Sequence, residues 1–159
     1  MILVTGANGH LGRGIVDQLV ARSGRVAGIA ASVRDPGRAA DLAGRGIAVR
    51  PGNFDQPETL AAAFAGVDKL ILVSTDGPKK VRIGQHRNAI DAAVAAGVGH
   101  IVYTSFIDVA ADSPADFAAV HRATEADLAA SGLAFTVLRN PLYADFLPMT
   151  VGAAMATGV

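Results

Sequence analysis

Ile2-Leu3-Val4-Thr5-Gly6-Ala7-Asn8-Gly9-His10-Leu11-Gly12 is the stretch that decides the fold, because a short apolar strand runs directly into glycines spaced G-x-x-G-x-x-G. Apolar residues at helical spacing follow it, at Leu11, Ile15, Val16, Leu19 and Val20. A glycine triplet by itself is a weak signal in a chain that has 18 glycines. The strand before the triplet and the helical pattern after it make the stretch typical of a strand-turn-helix unit.

The three glycines of this turn suit a dinucleotide phosphate. Gly6 permits the tight turn off the strand, Gly9 removes a side chain where a pyrophosphate would approach the backbone, and Gly12 lets the helix pack closely on the strand. Free backbone amides and the positive end of the helix dipole then face the phosphates. The pattern therefore favours a dinucleotide site over an ordinary tight turn.

Length, charge and cysteine content exclude several classes of protein. The 159 residues suffice for one domain with a full core, and 14 acidic side chains balance 14 basic ones, which gives no reason to expect a nucleic-acid partner. The chain has no cysteine, no metal-ligand spacing of its histidines and no apolar run of membrane-spanning length. We expect a soluble cytoplasmic protein without a metal, a membrane span or a nucleic-acid partner.

Strand and helix patterns alternate along the chain. Short segments rich in apolar and β-branched residues predict strands at 1–5, 26–33, 47–50, 69–74, 100–104 and 134–138. Helical patterns fill the gaps, at 10–21, 36–43, 57–64, 80–96 and 117–130. Right-handed crossovers between such elements give a parallel sheet with helices on both faces. The predicted fold is α/β, a doubly wound parallel Rossmann sheet of about six strands, in one NAD(P)-binding domain over residues 1–159.

The end of the second predicted strand, Ser32-Val33-Arg34-Asp35-Pro36, decides which dinucleotide is favoured. An acidic residue there holds the ribose hydroxyls of NAD, whereas an arginine accommodates the extra phosphate of NADP. Arg34 is the first charged residue after the strand, and its guanidinium fork suits a phosphate. NADP(H) is therefore the expected cofactor. The alternative is that Asp35 takes the ribose while Arg34 is a solvated loop residue.

Several motifs occur in an order that resembles a known family. They are Thr5-Gly-Ala-Asn-Gly-His-Leu-Gly12, Ser32-Val-Arg-Asp-Pro36, Gly52-Asn-Phe-Asp55, Ala95-Ala-Gly-Val98 followed by Val102-Tyr-Thr-Ser105, and Leu138-Arg-Asn-Pro141. Their order along nearly the whole chain resembles the NmrA-like atypical short-chain dehydrogenase/reductases, and among these the bacterial NAD(P)H:quinone oxidoreductases and triphenylmethane reductases. The resemblance implies an NADPH-dependent oxidoreductase with a quinone or a similar electron-poor small molecule as its acceptor.

The resemblance also implies which residues contact the cofactor. Those around the phosphates and ribose are Gly6, Asn8, Gly9, His10, Leu11, Gly12 and Arg34. Phe54 and Asp55 are placed near the adenine, and Ser74 and Thr75 along the nicotinamide half. Ser105, after the fifth strand, is a candidate for the floor of the site, or else a strand-end cap. These residues fall at the carboxyl ends of strands, where open α/β sheets bind ligands.

This chain lacks the residues that typical short-chain dehydrogenases use for proton transfer. Those enzymes use a tyrosine followed four residues later by a lysine, whereas Tyr103 is followed by Ile107 and Tyr143 by Leu147. An electron-poor ring accepts a hydride without that pair, so the protein would chiefly orient the two rings. We name His121 and Tyr143 as candidate catalytic residues. His121 is expected to hydrogen-bond the nicotinamide ribose or a quinone oxygen, or to be an ordinary histidine on a helix surface.

The other histidines have simpler interpretations. His10 is expected to contact phosphate or solvent rather than to act as a catalyst. His86, with Asn88 nearby, is expected to serve helix packing or a dimer face. His100 is expected to lie in a turn before a strand.

Two functions of different class remain open. The first is hydride transfer from NADPH to a small-molecule acceptor, and the second is a non-catalytic NADP-sensing module of the NmrA type. A sugar-nucleotide epimerase shares the glycine turn but requires the absent tyrosine-lysine pair. The apolar segment from Tyr143 to Ala156 suits a pocket cover, and family members continue beyond it. We therefore expect either a shortened chain or a homo-oligomer in which another copy covers this surface.

Overall fold

Strands and helices alternate throughout the part of the chain that the computed structural model describes, which is residues 1–144 together with 148, 151, 152, 155, 156 and 158. The strands are β1 Ile2–Thr5, β2 Ile29–Val33, β3 Ala48–Pro51, β4 Lys69–Leu72, β5 His100–Phe106 and β6 Ala134–Asn140. The helices are α1 His10–Ser23, α2 Ala40–Gly44, α3 Glu58–Phe64, α4 Lys79–Ala95 and α5 Ala118–Ala130, with a short 3-10 helix at Pro36–Ala39 before α2.

The six strands form one parallel sheet in the order β3-β2-β1-β4-β5-β6. The predicted doubly wound Rossmann sheet is therefore confirmed. The chain first adds strands on one side of β1 and then returns to add β4 on the other side. A crevice opens where the order reverses, outside the carboxyl ends of β1 and β4, and such crevices bind ligands in open α/β sheets.

Apolar side chains fill a core on each face of the sheet. On one face, Val16 of α1 and Leu42 of α2 pack against β1 and β2. On the other, Phe64 of α3, Ile90 of α4 and Leu128 of α5 pack against β1, β2, β4 and β5. Coverage on both faces explains why β2 is buried along its whole length and is apolar except for Ser32.

Several predicted element boundaries differ from the structure. β2 begins at Ile29 rather than at Val26, because Gly28 takes a φ of 84° and the Ile29 amide donates to the Val26 carbonyl across a turn. β5 and β6 each run two residues farther than predicted, through the paired Phe106 and Asn140. The predicted second helix is divided into the 3-10 helix and α2.

His100 lies at the start of β5, so the prediction that it occupies a turn is wrong. Its Nε2 is 2.9 Å from the Oγ1 of Thr136 on β6. The apolar segment from Tyr143 to Ala156 lies largely outside the described residues. Within the described part, β6 is the outer strand of the sheet, and Phe135 and Leu138 on it are exposed.

Helix α1 packs so closely on the turn after β1 that position 12 has room only for a hydrogen atom. A Cβ on Gly12 would lie 2.7 Å from the carbonyl carbon of Gly6 and 2.9 Å from the carbonyl oxygen of Thr5. At Gly14, two residues farther along the same helix, a Cβ would meet nothing within 4 Å. These two glycines therefore form a matched pair with opposite requirements.

We expect Gly12→Ala to lower the free energy of unfolding by about 1–3 kcal/mol, because the backbone must shift to admit the methyl group. Gly14→Ala should raise it by roughly 0.5–1 kcal/mol, since alanine loses less backbone entropy in a helix. Urea unfolding followed by circular dichroism measures both values. A Gly12→Ala protein as stable as the parent chain would contradict the close packing.

Candidate functional site

The glycine turn presents unpaired backbone amides at the carboxyl end of β1. Gly6 has a φ of 63°, a left-handed conformation that glycine adopts at little cost, and its carbonyl accepts from the Gly9 amide at 2.9 Å. Helix α1 then begins at His10 with no side-chain cap and no acidic residue in its first turn. Its first amides are therefore left for a ligand or water, and the helix dipole favours an anion there. This geometry fits a dinucleotide pyrophosphate.

Asn8 ties the glycine turn to the loop after β2. Its Nδ2 donates to the Asp35 carbonyl at 2.9 Å, while its Oδ1 is buried without a hydrogen-bond partner in the described part of the chain. His10 is exposed and Leu11 half-buried beside it. The structure thus brings the predicted phosphate residues together on one turn.

The loop after β2 uses its acidic residue internally and leaves its arginine exposed. The Asp35 carboxylate accepts from the Gly37 amide at 2.9 Å and so caps the 3-10 helix. Arg34 is exposed and makes no hydrogen bond or ion pair with any described residue. This arrangement favours Arg34 over Asp35 as the group available to the cofactor.

Helix α4 holds the loop after β3, where Phe54 and Asp55 lie. The Asn88 amide donates to the Phe54 carbonyl at 2.8 Å, and Gln85 Nε2 donates to the two Asp55 carboxylate oxygens at 2.9 and 3.0 Å. Phe54 is buried and Asp55 is exposed. Asn88 therefore serves helix packing, which is one of the two roles predicted for it.

His86 on α4 holds the loop after β4 in place through a hydrogen bond. Its Nε2 accepts from the Thr75 amide at 3.0 Å, so Nδ1 carries the ring proton and donates to the Thr124 hydroxyl on α5 at 2.8 Å. Thr124 in turn donates to the Val120 carbonyl at 2.9 Å. Burial lowers the pKa of His86 to about 3, and the nearby positive charge of Arg82 adds to the shift. His86 is fully buried, so the prediction of helix packing is confirmed and that of a dimer face is wrong.

His121 belongs to the same buried region and not to a helix surface, so that interpretation is wrong. It is 7% exposed, its Nδ1 is 2.8 Å from the hydroxyl of the fully buried Tyr103, and Arg82 Nη2 is 3.4 Å from its Nε2. Burial and Arg82 lower the pKa of His121 to about 4, and burial raises the pKa of Tyr103. Both ring nitrogens of His121 thus have protein partners. A direct contact with a ligand would require one of them to be released.

Ser74, in the loop after β4, donates one hydrogen bond and accepts another. Its amide donates to the Thr104 hydroxyl at 2.9 Å, and its own hydroxyl accepts from Arg82 Nη2 at 2.9 Å. Together with His86 and His121, these contacts connect the carboxyl ends of β4 and β5 to helices α4 and α5. The predicted nicotinamide residues Ser74 and Thr75 are therefore held in one conformation.

Ser105 and Tyr143 are both engaged by neighbouring side chains. The Ser105 hydroxyl donates to Glu125 at 2.6 Å, and Glu125 also pairs with Arg139 at 2.6 Å. Burial would raise the pKa of Glu125, but the hydrogen bonds from Arg139 and Ser105 outweigh it and lower the pKa. Tyr143 accepts from Asn140 Nδ2 at 3.0 Å. Ser105 therefore does not act as a strand-end cap. The catalytic roles of His121 and Tyr143 stay predictions.

Sequence reasoning missed the polar face of α4. Arg82, Gln85 and His86 follow one another at helical spacing, and all three turn toward the loops that end β3 and β4. Polar residues at positions i, i+3 and i+4 in an otherwise packed helix are the signal that could have found them. His121, Thr124 and Glu125 on α5 have the same spacing.

A family model described as NAD(P)H-binding matches residues 6–154. The chain belongs to this NAD(P)H-binding family. The match begins at Gly6, the first glycine of the turn, and reaches past β6. It agrees with the uncapped helix and the close glycine packing found at that turn. The cofactor of this NAD(P)H-binding chain is therefore a nicotinamide dinucleotide.

Individual relatives of this NAD(P)H-binding chain are reductases. Quinone oxidoreductase 2 of Escherichia coli (strain K12) is 41% identical over 159 residues, which cover 100% of this chain and 54% of that protein. An NmrA-like family domain-containing oxidoreductase of Aspergillus flavus is 35% identical over 153 residues, covering 92% of this chain and 49% of that protein. The NmrA-like resemblance is thus confirmed. The chain spans about half the length of the curated relatives it matches.

A solved structure shares both the fold and the sequence pattern. The Citrobacter sp. triphenylmethane reductase complexed with NADP(H) aligns with a TM-score of 0.88 at 40% identity, covering 98% of this chain and 55% of that one. In the described part of the present chain, no helix is long and apolar enough to cross a membrane. No cluster of three metal-ligating side chains occurs among the same residues.

The two buried histidines make stability depend on pH. A folded-state pKa near 3 for His86 means that the unfolded chain binds the proton more tightly, so stability is full above pH ~6.5 and falls as pH drops toward the folded-state value. We expect this proton linkage at His86 alone to lower the free energy of unfolding by on the order of 2 kcal/mol when the pH falls from 7.5 to 5. Urea unfolding at both values tests this. His86→Gln should reduce the difference and leave the part due to His121, and an unchanged difference would contradict the assignment.

Proposed function

We propose that this chain is the NADPH-binding domain of an oxidoreductase that transfers a hydride to a quinone or a similar electron-poor small molecule. The observation that carries the proposal is the turn from Gly6 to Gly12, whose uncapped helix N-terminus and close helix packing at Gly12 fit a dinucleotide phosphate. Bound NADPH would supply the hydride. The residues of the chain would bind the cofactor, orient it and present the acceptor to it.

Preference for NADPH is supported by the loop after β2. A carboxylate that held the adenine ribose would select NAD, but the Asp35 carboxylate is already hydrogen-bonded by the Gly37 amide. Arg34 precedes it, is exposed and has no ion-pair partner among the described residues. A guanidinium in this place suits a ribose 2′-phosphate through two parallel hydrogen bonds.

The environments of the two tyrosines support an electron-poor acceptor. Tyr103 is fully buried with its hydroxyl against His121, and Tyr143 is engaged by Asn140. Neither has a lysine four residues later. A carbonyl that becomes an alkoxide needs a proton donor, whereas a quinone takes a hydride to give a stable phenolate. The names of the quinone oxidoreductase and triphenylmethane reductase relatives point in the same direction.

The same tyrosines favour the second candidate, a cofactor-sensing module without turnover. The two candidates differ in one measurement, the steady oxidation of NADPH by the full chain when 1,4-benzoquinone is present, followed by absorbance. We expect steady oxidation that requires both protein and quinone and is much slower with NADH. Tight NADPH binding by calorimetry without any turnover would favour the sensor, and no binding at all would refute both candidates.

We expect Arg34→Ala to weaken NADPH binding by about tenfold to a hundredfold, the value of losing hydrogen bonds between a guanidinium and a phosphate. NADH binding should be nearly unchanged because NADH lacks the 2′-phosphate. Arg22→Ala is the matched control, since Arg22 is also exposed but lies in the last turn of α1. Calorimetric titrations with both cofactors measure the effect. Equal losses for NADPH and NADH would contradict the role of Arg34.

A further inference from the structure

Arg82 on α4 is a cation whose charge has no carboxylate partner in the described part of the chain. Five other basic side chains form ion pairs, namely Arg13 with Asp41, Arg45 with Asp17, Lys79 with Asp116, Arg87 with Asp127 and Arg139 with Glu125. Arg82 instead donates to two neutral groups, the Ser74 hydroxyl and His121 Nε2. Asp76 is near enough to attract it without forming an ion pair.

The environment of Arg82 makes this unpaired charge costly. The side chain is half-buried and its Nε is buried without a hydrogen-bond partner. Desolvation lowers the pKa of Arg82, although an arginine stays charged at any physiological pH. A partly buried cation without a counter-charge destabilises a fold unless something else compensates it. At the ligand-binding edge of a sheet, a bound anion is the natural source of compensation.

The guanidinium is also held in place before any ligand arrives. Nη2 lies 2.9 Å from Ser74 Oγ in the loop after β4 and 3.4 Å from Nε2 of His121, which is itself fixed by Tyr103. His121 is neutral in this arrangement, so it adds no repulsion. Donors that are fixed before the reaction stabilise developing negative charge without the cost of reorganising.

We propose that Arg82 holds the negative oxygen that forms on the acceptor when it is reduced, which makes it a catalytic residue and selects acceptors that become oxyanions. This inference rests on the proposed function. A quinone that accepts one hydride from NADPH becomes a hydroquinone monoanion and leaves NADP⁺ behind. The anion then takes one proton from water to give the hydroquinone. Arg82 keeps all its protons and contributes only its charge and its hydrogen bonds.

The first test measures anion binding and does not need turnover. The full chain saturated with NADP⁺ is titrated with 4-nitrophenolate, which resembles the charged product, and with nitrobenzene, its neutral counterpart. We expect Arg82→Gln to weaken 4-nitrophenolate binding by about tenfold or more and to leave nitrobenzene binding nearly unchanged. Arg87→Gln is the matched control, since Arg87 lies on the same helix but pairs with Asp127. It should behave like the parent chain.

The second test separates this inference from the proposed function. We expect Arg82→Gln to lower kcat with 1,4-benzoquinone by about a hundredfold to a thousandfold, while the Kd for NADPH changes little. If the parent chain binds NADPH and the anion but shows no turnover with any quinone, the proposed function fails and the catalytic role of Arg82 fails with it. If turnover does not depend on Arg82, or if NADPH affinity falls with it, the inference is overturned.

Folding of the variants is checked by thermal unfolding, since Arg82 also contacts Ser74 and His121. If Arg82→Gln does not fold, Arg82→Lys decides the matter, because lysine keeps the charge but loses the planar fork. Arg82→Lys should then bind 4-nitrophenolate with intermediate affinity. Affinity equal to that of the parent chain for the anion and the neutral compound alike would overturn the inference.

Discussion

The hydrogen bonds of the buried His86 imidazole hold together the three elements that form one end of the site. The ring accepts from the Thr75 amide and donates to Thr124, which it can do only when neutral. Loss of either bond would leave a buried polar group without a partner, at a cost of about 1–3 kcal/mol. The loop after β4 is therefore tied to α4 and α5, and Ser74 at its start is presented to Arg82 in one geometry.

The two ends of the crevice are built in different ways. The end beside β1 depends on backbone, because the turn at Gly6 and the close approach at Gly12 require only that side chains be absent. The end beside β4 and β5 depends on side chains from four elements, among them Tyr103 and His121. A binding site made of backbone groups can be shared by reductases that act on different acceptors. A binding site made of side chains changes with each substitution. We therefore propose that the choice of acceptor depends on the β4 and β5 end.

The same division explains what the sequence could predict. Glycine spacing and strand-helix alternation are local signals, so the sheet, its helices and the phosphate turn were predictable. Arg82 and His121 lie 39 residues apart along the chain and meet only because α4 and α5 pack side by side. No local pattern reveals that meeting, so a buried histidine could be taken for a surface one. β2 was placed too early for a related reason, since Val26 is apolar but precedes a turn set by Gly28.

At the carboxyl edge of the sheet, more of the acidic side chains than of the arginines have protein partners, although the whole chain has no net charge. The carboxylates of Asp35, Asp55 and Glu125 are engaged by the Gly37 amide, by Gln85 and by Arg139. Arg34 and Arg82 form no ion pair among the described residues, although Asp76 lies near Arg82. Acids that already have protein partners attract few cations, whereas unpaired guanidinium groups attract anions. The edge is therefore suited to ligands that carry negative charge at both ends of the crevice, a phosphate beside β2 and an oxyanion beside β4.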